Sequence, residues 1–556
     1  MEQGPAGRDL LSSSQLTDES ELAGTPGSGD SALAETSPVA GRPEPAAAGR
    51  HNIRVPSWLP LLAVLIVQAL LSVRLLGADT AFQDEATYLW AGHLEWAHVL
   101  QGTPLPPFAS YFSGAPVIYA PLGALADSVG GLAGARLLSL AFMLASTALG
   151  WDVTRRLFGR RAAFFAAALF AVLGSTLHLG AFATYDAMSL FLLALATWLV
   201  TGAGERAEAT GRMAAAGAVL ALANATAYST ALFDPVVIAI AVFVAWPAGR
   251  RVAGRRAGTL LAITAVLLIA GLLIGGSTYL TGVTQTTLER APGSDPSLIV
   301  LLRAWSWTGI VIVLALCAVF SSWSHRHDRR RTWLLAVLAA AALLGPAEQA
   351  VLHTTDSLNK HVGVGAWFAA IAAGYAVEAF IEAAPAGRSR TLTTSGCLIA
   401  LVFPIYFGAV QSWQFATSWP SSTTFIAIFR PMAEHGSGHL LVEDPGPARY
   451  YLSAGAQWQR WSSTRNIVLP GGVSTGGPRA GVVAAGNPAS FARYISQGYF
   501  SYIALNFADT TTLDHQIRAD ISRSHHYQYA QVIPYNPPGT AGTEVTGTYV
   551  VWRLKS

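Results

Sequence analysis

Charge is scarce in this chain. Of 556 residues only 12% are Asp, Glu, Lys or Arg, about half the share usual in soluble globular proteins. That shortage excludes an ordinary water-soluble enzyme, and a formal net charge of +3 excludes the basic footprint of a nucleic-acid binder. Cysteine is nearly missing too. Cys317 and Cys397 both lie inside apolar stretches, so there is no disulfide framework, no CxxC and no zinc-ligand spacing. Of the 35 basic residues only Lys360 and Lys555 are lysines. With abundant alanine, that fits the bias of a high-GC, actinobacterial-type genome and makes Lys360 conspicuous.

What the chain has instead is apolar length, with 52% hydrophobic residues. About eleven stretches approach the roughly 20 residues that a helix needs to cross a bilayer. The expected spans are 56–77, 133–157, 161–179, 185–201, 213–232, 234–247, 258–280, 298–320, 333–352, 362–383 and 392–412. Residues 1–54 are rich in Gly, Ser, Pro, Ala and acids; they bury too little to fold and read as a disordered tail rather than a signal peptide.

Arginine sets the topology, because positive loops stay in the cytoplasm. Arg50 and Arg54 precede the first span. Arg155, Arg156, Arg160 and Arg161 follow the second; Arg206 and Arg212 the fourth; Arg250, Arg251, Arg255 and Arg256 the sixth; Arg326 and Arg329–Arg331 the eighth; Arg388 and Arg390 the tenth. The opposite loops are poor in cations, with Arg290 and Lys360 as exceptions. The pattern predicts a multi-pass plasma-membrane protein with a cytoplasmic N-terminus. Pro116–Val129 is apolar but short, which favours a re-entrant or interfacial segment over a span. The domain reading is therefore a tail at 1–54, a membrane domain at 55–412 with an outer loop at 78–132, and an extracytoplasmic domain at 413–556.

The last domain changes texture. Strand-like runs at His439–Glu443, Ile467–Leu469, Tyr502–Asn506, Tyr527–Ile533 and Thr548–Leu554 alternate with helical patterns at Pro488–Gln497 and Thr511–Arg523. That alternation predicts a small α/β domain.

Ionisable groups beside apolar spans are functional candidates. Asp84 and Glu85 follow the first span, with Tyr88 three residues after the pair; as adjacent carboxylates they suit a general base, a divalent-cation site or acceptors for substrate hydroxyls. Asp186 is the only charge in its loop and also suits a helix N-terminus. Lys360 and His361 open the tenth span and suit a phosphate partner, as does Arg136. Trp90 and Trp96 suit the headgroup level. His93 and Glu95 form a weak metal spacing, His325 and His327 lie among cytoplasmic arginines, and His525 and His526 read as surface.

In order and placement, Asp84-Glu85, Ala135-Arg136-Leu137-Leu138-Ser139, Arg155-Arg156-Leu157-Phe158-Gly159-Arg160-Arg161 and Tyr185-Asp186 resemble the GT-C membrane glycosyltransferases. The resemblance, over about 56–412, is to the branch with the protein O-mannosyltransferases and the aminoarabinose transferase of lipid A (family 39-like). It departs at Ala86 and Thr87, where members often carry arginine, and at Tyr185. The resemblance implies a hexosyl- or pentosyltransferase that takes a sugar from a polyprenyl-phosphate donor to a glycan, lipid or protein acceptor at the outer face. It also implies Asp84 as base, Glu85 as its orienting or acceptor-binding partner, Lys360, His361 and Arg136 at the phosphate, and Asp186 and Tyr88 at substrate. A lipid-linked glycan flippase, for which Glu348 and Glu378 count, and a non-catalytic envelope-assembly subunit stand as alternatives.

Overall fold

The computed structural model describes residues 56–555 except 57, 79, 205–208, 290–291, 325–327, 356, 418, 420, 435–436, 453–454, 465–466, 469–481, 484–487, 509 and 536–546. The expected tail, with Arg50 and Arg54, and the expected signals at Arg206, Arg290, His325, Arg326 and His327 lie outside the described residues.

Among the described residues eight helices are long and apolar enough to cross a membrane: Leu59–Leu76, Pro116–Phe158, Tyr228–Ala248, Arg250–Ser277, Ser297–Ser324, Arg329–Val351, Leu358–Ala383 and Arg388–Thr417. Tyr185–Thr201 is apolar but shorter. Two expected spans take broken forms. The 161–179 stretch is Arg160–Ala171 followed by Gly174–Leu179, and the 213–232 stretch is Thr210–Thr226 followed by a 3-10 turn, Tyr228–Phe233. Both are rich in alanine, whose small side chain packs inside the bundle, and their α-helices run only 12, 6 and 17 residues.

Leu358–Ala383 is the most buried of the eight, and its sequence explains why. Small residues line it, so neighbouring backbones come close. A Cβ on Gly365 would stand 2.5 Å from the Ala341 carbonyl oxygen, and one on Gly374 would stand 2.3 Å from that of Ala162. Trp367 and Phe368 fill the remaining space and are fully buried. Lys360 rides on the first turn of this helix.

Pro116–Phe158 is two helices joined at Gly131, whose φ of 61° is a left-handed conformation that glycine alone adopts without steric penalty. The short apolar segment is thus a helix of its own that turns sharply into the next. It packs beside Gln83–Gln101, the helix that opens with the acidic pair.

The C-terminal part forms a five-stranded mixed sheet from β1 (His439–Val442), β2 (Trp461–Ser462), β5 (Phe500–Leu505), β6 (Tyr527–Tyr535) and β7 (Gly547–Leu554). Separately, β3 (Ile467–Val468) pairs antiparallel with β4 (Val482–Val483). The sheet order is β2-β1-β5-β7-β6; β1 runs parallel to β2 and β5, and the last three strands are antiparallel. Alternation along β1 serves two cores. Leu440 and Val442 pack with Phe425, Phe429 and Ala448, while Leu441 packs with Phe491, Ile495, Ile517 and Ile521. Four of the five strands that the sequence predicts appear in this sheet, and the two expected helices form as Pro488–Ser496 and Thr511–Ser524; the short β2 carried no signal of its own.

Candidate active site

The site begins where the first membrane helix ends. After Leu59–Leu76 the chain turns, and Gln83–Gln101 starts with Phe82 in extended backbone at its N-cap. Glu85 reaches back so that its Oε2 accepts from the Phe82 N–H at 2.9 Å. The same carboxylate accepts from Arg136 through two parallel bonds, Nε to Oε1 and Nη2 to Oε2, each 2.8 Å. The Ala183 N–H adds a fourth donor at 2.9 Å. Arg136 spends its other hydrogens on the carbonyls of Ala78 (2.6 Å), Leu76 (3.2 Å) and Thr80 (3.3 Å). Its guanidinium lies 4.9 Å from the centre of the Trp419 ring.

This pair, 0% and 1% exposed, ties the end of the first helix, the start of the second and the Phe182–Thr184 turn together. Glu85 therefore has no free oxygen for a substrate hydroxyl or a cation, and Arg136 has no free face for a phosphate. The shared divalent-cation site does not fit, because the two carboxylates of the pair diverge. Among the described residues no three His, Cys, Asp or Glu side chains converge as metal ligands.

Asp84 points the other way, about 100° around the helix from Glu85. Its Oδ2 accepts from Lys360 Nζ at 2.7 Å, and the carboxylate is one-third exposed. Lys360 Nζ also lies 3.8 Å from Asp186 Oδ2 and 5.1 Å from the centre of the Phe182 ring. Thr184 donates its hydroxyl to the same Asp186 oxygen at 2.6 Å, which fixes that carboxylate at the start of Tyr185–Thr201. One ammonium thus sits between two carboxylates, 276 residues from one of them.

Tyr88, one turn on from Asp84, stands 4.9 Å from Tyr185 and 4.8 Å from Phe112 between ring centres. Burial, then Tyr185 and the two aspartates, pushes its phenol well above the ordinary range, so it stays a neutral hydrogen-bonding group. His361 turns away from this cluster. Its Nδ1 meets Glu348 Oε2 at 3.2 Å and Gln349 Nε2 at 3.0 Å. Glu378, the other acid a transport path would need, lies 3.5 Å from Arg161, near the end of its helix.

The structure thus gathers Asp84, Tyr88, Asp186 and Lys360, seats Glu85 with Arg136 behind them, and leaves His361 with Glu348. Sequence reading missed the aromatic wall. Phe82, Phe182, His178, Phe415 and Trp419 pack with ring centres 4.6–6.4 Å apart. Phe182 sits in the loop read only for charge, where a count of aromatics would have found it, whereas His178 lies at the end of the expected 161–179 span, on Gly174–Leu179.

A C-terminal segment roofs the same helix. Gly446 lies against Gln83 and Thr87, Tyr451 Oη accepts from Ala81 N–H at 2.8 Å, and Tyr450 donates to Asp127 Oδ1 at 2.7 Å. His93 Nε2 meets the other Asp127 oxygen at 2.6 Å, and Trp458 donates to the Pro104 carbonyl at 2.9 Å.

Residues 122–274 match the family described as dolichyl-phosphate-mannose-protein mannosyltransferase. No curated protein matches the chain. Among solved structures, ArnT from Cupriavidus metallidurans, bound to undecaprenyl phosphate, aligns over 89% of this chain and 97% of its own at 15% identity and a TM-score of 0.56. The archaeal oligosaccharyltransferase AglB from Archaeoglobus fulgidus, with an inhibitory peptide and a dolichol-phosphate, aligns over 87% and 75% at 13% identity and 0.52. The chain therefore has the GT-C fold of the membrane glycosyltransferases that its sequence resembles.

Proposed function

We propose that the chain is an integral membrane glycosyltransferase that moves a sugar from a polyprenyl-phosphate donor to an acceptor hydroxyl at the outer face of the membrane. The observation that carries this reading is the Asp84–Lys360 pair at 2.7 Å, one-third open on the carboxylate side, in a GT-C fold. The polyprenyl phosphate bound to ArnT and the dolichol-phosphate bound to AglB support the donor class. The arginine clusters support a cytoplasmic N-terminus, an outer Asp84 and an extracytoplasmic domain from about residue 413.

In the reaction the acceptor oxygen attacks the anomeric carbon and its proton passes to Asp84. The bond from that carbon to the carrier phosphate breaks, and its electron pair stays on the phosphate oxygen. Lys360 stabilises the negative charge as it forms. A single in-line displacement of this kind inverts the anomeric centre. Asp186 and Tyr88 bind sugar or acceptor hydroxyls. Glu85 and Arg136 are positioning residues, and His361 supports the Lys360 turn from behind.

Replacing Asp84 by Asn is expected to lower the transfer rate of the purified protein by about 10²–10⁴-fold with its thermal midpoint unchanged; turnover near wild type rejects the base assignment. Replacing Lys360 by Ala is expected to raise the KM for the lipid-phosphate sugar more than that for the acceptor. An effect confined to the acceptor removes Lys360 from the phosphate.

A further inference from the structure

The helix that begins beside Asp186, Tyr185–Thr201, carries the fold about 25 Å along its axis to a second charged region. There the described residues surround a cavity of about 150 Å³ lined by Thr210, Met213, Arg251, Arg255, Arg256 and Thr259, among others. That is about five times the volume of a water molecule in the liquid, enough for a phosphate group.

The arginines nearby divide into two kinds. Arg156, Arg212 and Arg256 donate to the carbonyls of Trp198, Gly202 and Gly204, closing the carbonyl end of Tyr185–Thr201 as basic side chains commonly do. Arg251 and Arg255 have no such duty. Arg255 gives one N–H to the Thr210 hydroxyl at 2.6 Å, and Arg251 makes no hydrogen bond or ion pair among the described residues. The two are four apart on one helix, so they stand on the same face as like charges, an arrangement that opposes helix stability. An anion between them reverses that sign, and guanidinium forks match the oxygens of a phosphate. Further along the same helix Leu261, Val266 and Leu273 are exposed apolar side chains, a surface for acyl chains beneath the cavity.

We propose that this cavity binds a phosphate group, presented by an anionic lipid headgroup or by free phosphate, through Arg251 and Arg255 with Thr259 beside them. It stands apart from Asp84 and Lys360 and does not depend on the transfer reaction.

The test is thermal unfolding of the full-length purified protein in detergent, titrated separately with phosphatidylglycerol, phosphatidylcholine and inorganic phosphate. Phosphatidylglycerol is expected to raise the midpoint saturably and phosphatidylcholine not. Arg251→Gln/Arg255→Gln is expected to raise the half-saturating concentration at least tenfold. Arg251→Gln alone, the milder change should the double variant fold poorly, is expected to raise it about threefold. Arg329→Gln/Arg331→Gln, which removes two arginines from another cluster, is expected to change it less than twofold. A saturable shift with inorganic phosphate alone, lost in the same variants, assigns the site to free phosphate. Equal responses to the two lipids, or an equal loss in the Arg329/Arg331 variant, overturns the site.

Discussion

Asp84 and Glu85 are neighbours in sequence with opposite surroundings. Glu85 receives four donors in full burial, whereas Asp84 keeps an open side against Lys360. Glu85→Gln leaves a buried arginine without its counter-charge, a loss of about 3–5 kcal/mol. A large fall in thermal midpoint is therefore expected for Glu85→Gln and almost none for Asp84→Asn; equal falls would contradict the division of roles. Glu95 offers a pH-dependent counterpart. Its Oε2 is buried with no hydrogen-bond partner among the described residues, and burial pushes its carboxyl from 4.5 up to about 7. The unfolded chain releases this proton near pH 4.5, while the fold retains it to about pH 7. Between those values the unfolded state binds fewer protons, so stability declines as pH rises and then levels off. Glu95→Gln is expected to match wild type below pH 4.5 and to gain stability progressively up to pH 7; a pH-independent gap would refute the assignment. At this scale the meeting of Asp84, Asp186 and Lys360 was legible in sequence from their placement at the ends of apolar runs. The Glu85–Arg136 pair was not, since 51 residues separate its members and nothing local distinguishes a buried partner from an interfacial anchor.

The element that matters most is Gln83–Gln101, held at its start by Glu85 and along its length by close packing. A Cβ on Gly92 would stand 1.9 Å from the Ala120 carbonyl oxygen and 2.8 Å from the Ala124 Cβ, so the 116–130 segment lies directly on this glycine. Gly92→Ala must push that segment away. Overpacking of this kind typically loses about 1–3 kcal/mol, and here it also moves the helix that carries Asp84. Both a lower thermal midpoint and a lower transfer rate are expected; full activity with unchanged stability would mean that the helices separate freely. Hydrophobic length predicted where most helices run. It could not predict the turn at Gly131 or the breaks within 161–179 and 213–232, because those follow from packing among small residues. Nor could it find β2, a two-residue strand whose pairing partner is set by tertiary contact.

On the scale of the whole molecule, the C-terminal sheet and the membrane helices meet through directed polar contacts. Tyr450, Asp127 and His93 form one chain across the junction, and Arg449 lies 5.1 Å from the centre of the Trp90 ring. A double-mutant cycle on Tyr450→Phe and Asp127→Asn is expected to give a coupling energy of about 1–3 kcal/mol, as for a hydrogen bond to a charged group. Additive effects would show that the contact carries no stability. The sequence announced this region as α/β, yet its seating on the Asp84 helix depended on contacts more than 300 residues apart.

The place of Lys360 has a kinetic corollary. While its ammonium rests on Asp84, one oxygen of that carboxylate is taken up by the ion pair. A carrier phosphate that draws the ammonium toward itself frees the carboxylate at the same moment. On the proposed roles of Asp84 and Lys360, loading of the lipid uncovers the carboxylate that takes the alcohol proton, and the empty protein keeps that oxygen paired. Initial-rate and product-inhibition studies should accordingly show an ordered sequence, with the lipid-linked sugar bound first.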